Sequence, residues 1–349
     1  MTIKDIARES GYAVSTVSRA LNDHPDVSNE AKHKIKEIIA RVGFVPNNNA
    51  RQLKVQQSSN ILILVKGAFN LFFAGVLERI QTAIASAGYS AEVHYLDEDA
   101  DEVLAGEQLQ RERKPLGLLF LGGNVEVFRR RFAAITVPSV LATTVSQDLD
   151  FQNLSCVGVD DAAAGGEACE YLLQKGHRSI AVMGGKREMS YVSALRYAGF
   201  CRAYTANRGA QHPEALYRNC SFSMDSGYRA MNRLLQGSAE GSAEGSAEGS
   251  ADKLQITAVF CMSDLIAIGA MRAIHEAGLR VPEDISVLGF DGIELARFCI
   301  PQLATIRQPQ QDIAQSSVQQ LLAAIEHAAP RETVILPTTL VVGESVRAL

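Results

Sequence analysis

The residues best placed to do chemistry in this sequence stand near its start. Val14, Ser15, Ser18 and Arg19 share the outward face of a short helix, which follows a first helix after Gly11-Tyr12-Ala13; Ala7 is small inside the first, and Val17 and Leu21 are apolar inside the second. That is helix-turn-helix spacing, in which the second helix lies in the major groove of DNA and its N-terminal residues reach base edges. Small hydroxyls and one arginine suit phosphate contact and guanine reading. The same spacing also fits an ordinary helical hairpin, but charge leans toward DNA. Residues 1–58 hold nine Lys/Arg against six Asp/Glu, whereas the other 291 residues hold 25 against 33. Phosphate attracts a basic head and repels an acidic body.

Other chemistries fail on spacing. Gly184-Gly185-Lys186-Arg187 is shaped like part of a phosphate loop but lacks the first glycine at its proper distance and the Ser/Thr after Lys. The sequence has no G-x-G-x-x-G after its first strand, no G-x-S-x-G elbow and no H-E-x-x-H. The six cysteines (156, 169, 201, 220, 261, 299) form no C-x-x-C pair and no zinc spacing, so they read as reduced small hydrophobes. The seven histidines fall mostly at loop or helix-end positions, where solvated or capping roles are expected. No enzyme activity, metal or cofactor is therefore expected.

The elements that would position these residues fall into three regions. To about residue 46 the chain reads as short helices over Ile3–Ser10, Val14–Leu21 and 29–41, the last with Ala31, Ile35, Ile38, Ile39 and Val42 on one face and Ser28 as its cap. Residues 47–59 are polar and read as a hinge linker, helical only when supported. From Asn60, short continuous apolar runs alternate with amphipathic helices: 61–65, 116–121, 139–141, 156–159, 180–183, 258–261 and 285–290. Strands without polar alternation are buried on both faces, so the body is an α/β fold of doubly wound parallel sheets, two rather than one. Residues 237–251 repeat Gly-Ser-Ala-Glu and read as a flexible surface loop. The chain of 349 residues with 47% hydrophobic residues can bury cores of this size. With no run of about 20 apolar residues and no secretory pattern after Met1-Thr2-Ile3-Lys4-Asp5, a soluble cytoplasmic protein is the expectation.

Thr2-Ile3-Lys4-Asp5-Ile6-Ala7-Arg8-Glu9-Ser10-Gly11 followed by Val14-Ser15-Thr16-Val17-Ser18-Arg19-Ala20-Leu21-Asn22 resembles the DNA-binding head of the lactose/galactose repressor family. Gly43-Phe44-Val45-Pro46-Asn47 and Ala50-Arg51-Gln52-Leu53 are similar to the end of that head and its hinge helix. In the body, Asn70-Leu71-Phe72-Phe73, Gly176-His177-Arg178-Ser179-Ile180-Ala181, Arg196-Tyr197-Ala198-Gly199-Phe200, 281–291 and 303–308 match in order, so the resemblance covers essentially the whole chain.

The resemblance implies a ligand-controlled transcription factor that binds a pseudo-palindromic operator as a homodimer, most naturally a repressor. It places Val14, Ser15, Thr16, Ser18, Arg19 and Asn22 on DNA, with Ala50 and Leu53 in the hinge, Leu53 as a minor-groove wedge. Its body would resemble periplasmic sugar-binding proteins: one subdomain of about 60–175 and 309–335, another of about 176–308 and 336–349, with crossovers near 175, 308 and 336. The cleft between them would be lined by Phe72, Phe73, Asp161, Arg196, Phe222, Ser263 and Asp291, a set suited to a sugar or glycoside and less to a nucleoside. Strand ends independently point to the loops after Val65, Val159, Met183, Cys261 and Phe290. Asp160 and Asp264 fit either ligand contact or structural bonding of loops. The sequence departs from the family at Lys66-Gly67-Ala68, Ser263 and Gly292. The alternative is a sugar-binding transport component with a non-functional head, which would need an export signal.

Overall fold

Two units make up the chain, one of residues 1–58 and one of residues 59–349. A computed structural model describes residues 3–21, 26–42, 60–67, 70–237 and 256–349. Asn22, the hinge with Ala50 and Leu53, and all but the first residue of the Gly-Ser-Ala-Glu repeat lie outside the described residues, as do the side chains of Ser15 and Ser18.

In the first unit, α1 (Ile3–Ser10), α2 (Val14–Leu21) and α3 (Asn29–Val42) enclose Ile6, Ala7, Val17, Ala20, Val27, Ala31, Ile35 and Ile38. Gly11 turns the chain between α1 and α2 at φ +76°, a left-handed conformation that glycine adopts without penalty. The Ser28 hydroxyl accepts from the Ala31 amide at 3.3 Å and so caps α3.

In the second unit, the long apolar runs become the buried interior strands. They are β1 (Asn60–Lys66), β3 (Gly117–Leu121), β4 (Ser139–Ala142), β5 (Leu154–Val159), β6 (Ile180–Gly184), β8 (Ala258–Cys261) and β9 (Ser286–Asp291). Less apolar strands complete the sheets: β2 (Ser90–Leu96), β7 (Tyr217–Asn219), β10 (Ala304–Arg307), β11 (Thr333–Leu336) and β12 (Thr339–Val341). One sheet runs β11-β5-β4-β3-β1-β2, all parallel; the other runs β12-β10-β9-β8-β6-β7, parallel except for the β10/β12 pair. Each order reverses once, between β1 and β3 in the first sheet and between β6 and β8 in the second. Helices α4 (Leu71–Ser86), α5 (Glu102–Arg113) and α6 (Val125–Arg131) serve the first sheet. Helices α7 (Asp161–Gln174), α8 (Tyr191–Arg208), α9 (Met224–Leu235) and α10 (Asp264–Glu276) serve the second. Among the described residues no helix is long and apolar enough to cross a membrane.

The first crossover falls near residue 160, not near 175. The helix α7 follows a strand of the first sheet but packs on α8 of the second subdomain, because glycines let the two backbones touch: a Cβ on Gly165 would lie 2.0 Å from the Arg196 carbonyl oxygen, and one on Gly199 would lie 1.8 Å from that of Ala162. The chain returns after Gln308 as α11 (Gln310–His327), which packs on α4. It leaves again between β11, paired with β5, and β12, paired with β10.

Candidate functional site

Open α/β sheets bind ligands outside the carboxyl ends of their strands, where the strand order reverses. In the second sheet, residues from five elements gather at those carboxyl ends, beside the reversal between β6 and β8. Asp161 opens α7, Arg196 stands in the second turn of α8, Ser263 caps α10, Asp291 ends β9 and Gln308 follows β10. Arg196 donates through Nε to Asp161 Oδ1 at 2.8 Å and through Nη1 to the Met262 carbonyl oxygen at 2.7 Å. Its guanidinium lies 3.7 Å from the centre of the Phe290 ring, a cation–π contact. Asp161 and Arg196 are 2% and 4% exposed.

Asp291 is 5% exposed and takes φ +106°, a strained conformation for a residue with a side chain. The Gln308 amide holds it there, donating Nε2–H to Asp291 Oδ1 at 2.9 Å while its backbone N–H reaches the Asp291 carbonyl oxygen at 3.1 Å. Burial pushes the Asp291 carboxyl up to about 7, against the pull of Arg196 and of bonds from Gln308 and Ser263, with Asp161 adding to the rise. Burial also raises Asp161, opposed by Arg196.

Among the expected contacts, Asp161, Arg196, Ser263 and Asp291 are thus brought together. Ser263 acts through its neighbours, since its hydroxyl accepts from the Leu265 amide at 3.1 Å and bonds Asp291. Asp160 and Asp264 are structural. Asp160 accepts from the Ala162 and Ala163 amides at 3.0 and 2.9 Å. Asp264 accepts from the Ile293 amide at 2.8 Å and the Thr305 hydroxyl at 2.6 Å; burial and nearby Asp291 raise its carboxyl far above the usual range. Gln308 was given no role by the sequence. The only sign of it there is its place at the end of 303–308, a stretch that resembles the family.

The first sheet contributes apolar surface and a closed ion pair. Asn70 caps α4 by accepting from the Phe72 and Phe73 amides. Phe72 belongs to the core with Val76 and Ile80, so Phe73 is the half-exposed ring of the pair, lying over Gly122, where a Cβ would come within 2.8 Å of it. Phe222 is half-buried against apolar residues of the second subdomain's core. Lys66, at the end of β1, pairs with the buried Glu102 at 2.6 Å. Across from them, Asn124 Nδ2 donates to the Met189 carbonyl oxygen at 3.2 Å. Two histidines are buried rather than solvated: His177 bonds the Thr257 hydroxyl and the Arg347 carbonyl oxygen, and His212 bonds the Tyr197 hydroxyl and the Ile180 carbonyl oxygen. Among the described residues no group of three or more His, Cys, Asp or Glu is placed to hold a metal ion.

In the helical head, Val14 and Arg19 are exposed and Thr16 is half-buried, while Val17 and Ala20 of the same helix face its core.

Residues 2–47 match the family model described as bacterial regulatory proteins, lacI family, and residues 169–346 match that of the periplasmic binding protein-like domain. The transcriptional regulator MalR of Clostridium butyricum is 33% identical over 99% of both chains. The chain belongs to the lacI family of bacterial regulatory proteins. Another lacI-family relative, the ribose operon repressor of Haemophilus influenzae, is 32% identical over 100% of this chain and 99% of its own. A lac repressor dimer bound to operator and the anti-inducer ONPF shares the fold with a TM-score of 0.80 and 27% identity, over 100% of this chain and 99% of that one. As a lacI-family member the chain is a DNA-binding transcriptional regulator.

Proposed function

We propose that this regulator is a repressor that binds a pseudo-palindromic operator as a homodimer and answers to a small sugar-like effector held between its two sheets. The observation that carries the effector half is the Asp161–Arg196–Asp291–Gln308 set, buried at the carboxyl ends of β8, β9 and β10, next to where the strand order of the second sheet reverses. Asp161, Arg196 and Asp291 bond the effector's polar groups, Ser263 and Gln308 fix Asp291, and the rings of Phe73 and Phe222 supply apolar faces. The names of the relatives fit: one is a ribose operon repressor. Phe72 acts from behind Phe73.

DNA reading falls to Val14, Ser15, Thr16, Ser18, Arg19 and Asn22, with Ala50 and Leu53 in a hinge that folds on the operator. Pairing of two copies has a candidate surface in the second subdomain, where Phe298 and Ile300 are 70% and 97% exposed and Leu295 lies close by in sequence. The protein works in the cytoplasm, without catalysis or cofactor.

The test is a gel shift against fragments of the host genome, repeated with Arg19→Ala. A bidentate contact to guanine makes that change cost about 1–3 kcal/mol and relaxes preference at one symmetric base pair. Uniform loss on every sequence leaves Arg19 a phosphate contact, and no retarded fragment at all overturns the repressor reading.

A further inference from the structure

The geometry points to Arg187 as a positioning residue for a latch between the two subdomains. It holds the turn 186–190 so that Met189 and Tyr191 engage the first subdomain, and thereby sets how readily the subdomains part. Its part in the response to ligand rests on the effector reading above.

The topology says where such a latch must sit. The chain passes between subdomains after β5, after β10 and between β11 and β12. Those strands lie together at one edge of each sheet, so the three connections form a hinge along that edge. Bodies hinged along one edge part at the other, where a contact has most leverage over opening. Met189 follows β6, three strands from β10, and its carbonyl oxygen accepts from Asn124, which follows β3, two strands from β5. The Tyr191 ring packs against the first subdomain's core, which holds Leu64, Phe120 and Phe128.

Little else aims the turn. The side chains of Lys186, Glu188 and Met189 are exposed. The Lys186 carbonyl oxygen accepts from the Met189 and Ser190 amides at 2.9 and 2.7 Å, which closes the turn without orienting it. Bonds at Gly185 and Ser190 pin its two ends, so what is left to set is its tilt.

Arg187 is the side chain that turns back. Its guanidinium lies 4.7 Å from the centre of the Tyr197 ring and 4.8 Å from that of Tyr217, and it pairs with Glu214, just before β7. Both rings are buried and meet edge to face at 4.6 Å. Tyr197 is bonded to His212, and Tyr217 donates to the Gly185 carbonyl oxygen at 2.7 Å. Because Tyr197 directly follows Arg196 in α8, the clamp ties the turn to the helix that carries the buried Arg196–Asp161 pair.

The sequence has no tryptophan, so Tyr191→Trp gives the full-length protein a single emitter at the latch. Iodide quenching is measured with Arg187 intact, with Arg187→Met and with Arg187→Lys. Docked against the first subdomain, the indole is shielded; Arg187→Met should raise the quenching constant at least about threefold. Lysine keeps a cation over the rings, so Arg187→Lys should recover about half of the shielding or more. The Arg187–Glu214 pair is open to water, so the melting temperature should move by less than about 3 °C. An indole already open to iodide beside an intact Arg187 overturns the latch, and so does quenching unchanged in Arg187→Met. Amide exchange without the tryptophan checks the same point: Arg187→Met should speed 187–191 and 122–126 together, and a rise in 187–191 alone overturns the contact across the mouth.

D-ribose, D-glucose and maltose, each to about 10 mM, are then titrated by calorimetry. A ligand that favours the closed form loses affinity in proportion to the closed fraction, so whichever sugar binds should bind at least about threefold more weakly to Arg187→Met. Equal affinity overturns the latch's part in the response. If no sugar binds while shielding still depends on Arg187, the sugar-effector reading fails and the latch stands.

Discussion

The two sheets are built alike, yet the edges at the carboxyl ends of their strands differ. The second sheet's edge is polar and locked: Arg196 has two bonds and a ring face, Asp291 is clamped by Gln308, and α7 and α8 meet backbone to backbone at Gly165 and Gly199. The first sheet's edge carries fewer such clamps: an ion pair at Lys66, the Phe73 ring over Gly122 and the short buried hydroxyls of Thr143, Thr144 and Ser146 after β4. Rigid polar groups fix a ligand's orientation without reorganising, whereas an apolar face can close on ligands of varied outline. On the proposed function, recognition falls to the second subdomain and the first reports whether the cleft is filled.

The largest expected effect tests how dependent each edge is on its cation. Arg196→Met leaves Asp161 buried without its partner, a loss that costs about 3–5 kcal/mol in buried pairs. Lys66→Met also strips a buried acid, but Glu102 keeps the Asn124 amide as a donor and the lysine itself is partly open to water, so about 1–2 kcal/mol is expected. Urea unfolding of the two variants measures both. Equal losses would mean the edges are not built differently.

Next in size is the packing behind each edge. Gly199→Ala drives a methyl into the Ala162 carbonyl, and backbone cannot step aside, so the cost should reach or exceed the usual range of about 1–3 kcal/mol. Gly75→Ala in α4 meets only the end of the Gln310 side chain, 2.6 Å away. That amide can swing out, and the helix then gains about 0.5–1 kcal/mol from losing a glycine. Opposite signs in thermal unfolding would support a locked second subdomain and a yielding first. A tolerated Gly199→Ala would show that α7 and α8 can slide.

A smaller effect separates the edges by pH. Asp291 has its carboxyl raised to about 7 in the folded protein, so between its usual range near 4 and that value the folded state holds a proton that the unfolded state has released. Stability is then greatest below that window and is lost as pH rises through 7, by about 1.4 kcal/mol between pH 6 and pH 8 from this group alone. Asp291→Asn should flatten that slope, and a slope unchanged in the variant would place the titration elsewhere.

The same contrast governs how much could be read without coordinates. The interior strands other than the short β10 were legible because burial on both faces leaves continuous apolar runs such as Ile61-Leu62-Ile63-Leu64-Val65. The edge strands β2, β7, β11 and β12 were not, because one open side permits sequences like Ser90-Ala91-Glu92-Val93-His94. Arg196 and Asp291 stand in stretches that resemble the family, and Asp161 follows a strand end closely, so the resemblance could point to all three. Gln308 could not be singled out in this way, since an amide becomes part of a site only through its partner 17 positions away. The crossover at 160 was missed for a similar reason: a strand followed closely by a helix reads as one unit, and only the fit of Gly165 and Gly199 assigns that helix to the other sheet.

The smallest expected effect concerns the bond between the edges. Asn124 does two things at once: its Oδ1 accepts from the Glu126 amide and caps α6, while its Nδ2 donates to the Met189 carbonyl of the other subdomain. Aspartate caps helices as well as asparagine, so Asn124→Asp keeps the cap and places an acceptor where the donor was. Because the bond is solvent-exposed, overall stability should change by less than about 1 kcal/mol. Its effect should appear instead in local opening, as faster amide exchange in 122–126 and 185–191 together, with the strands unchanged. Those segments follow β3 and β6, at the points where each sheet reverses its order. Coupled exchange would mean that a change at one edge is felt at the other through this contact. Exchange that rises on one side only, or on neither, would leave the ligand itself as the link between a recognising and a reporting subdomain.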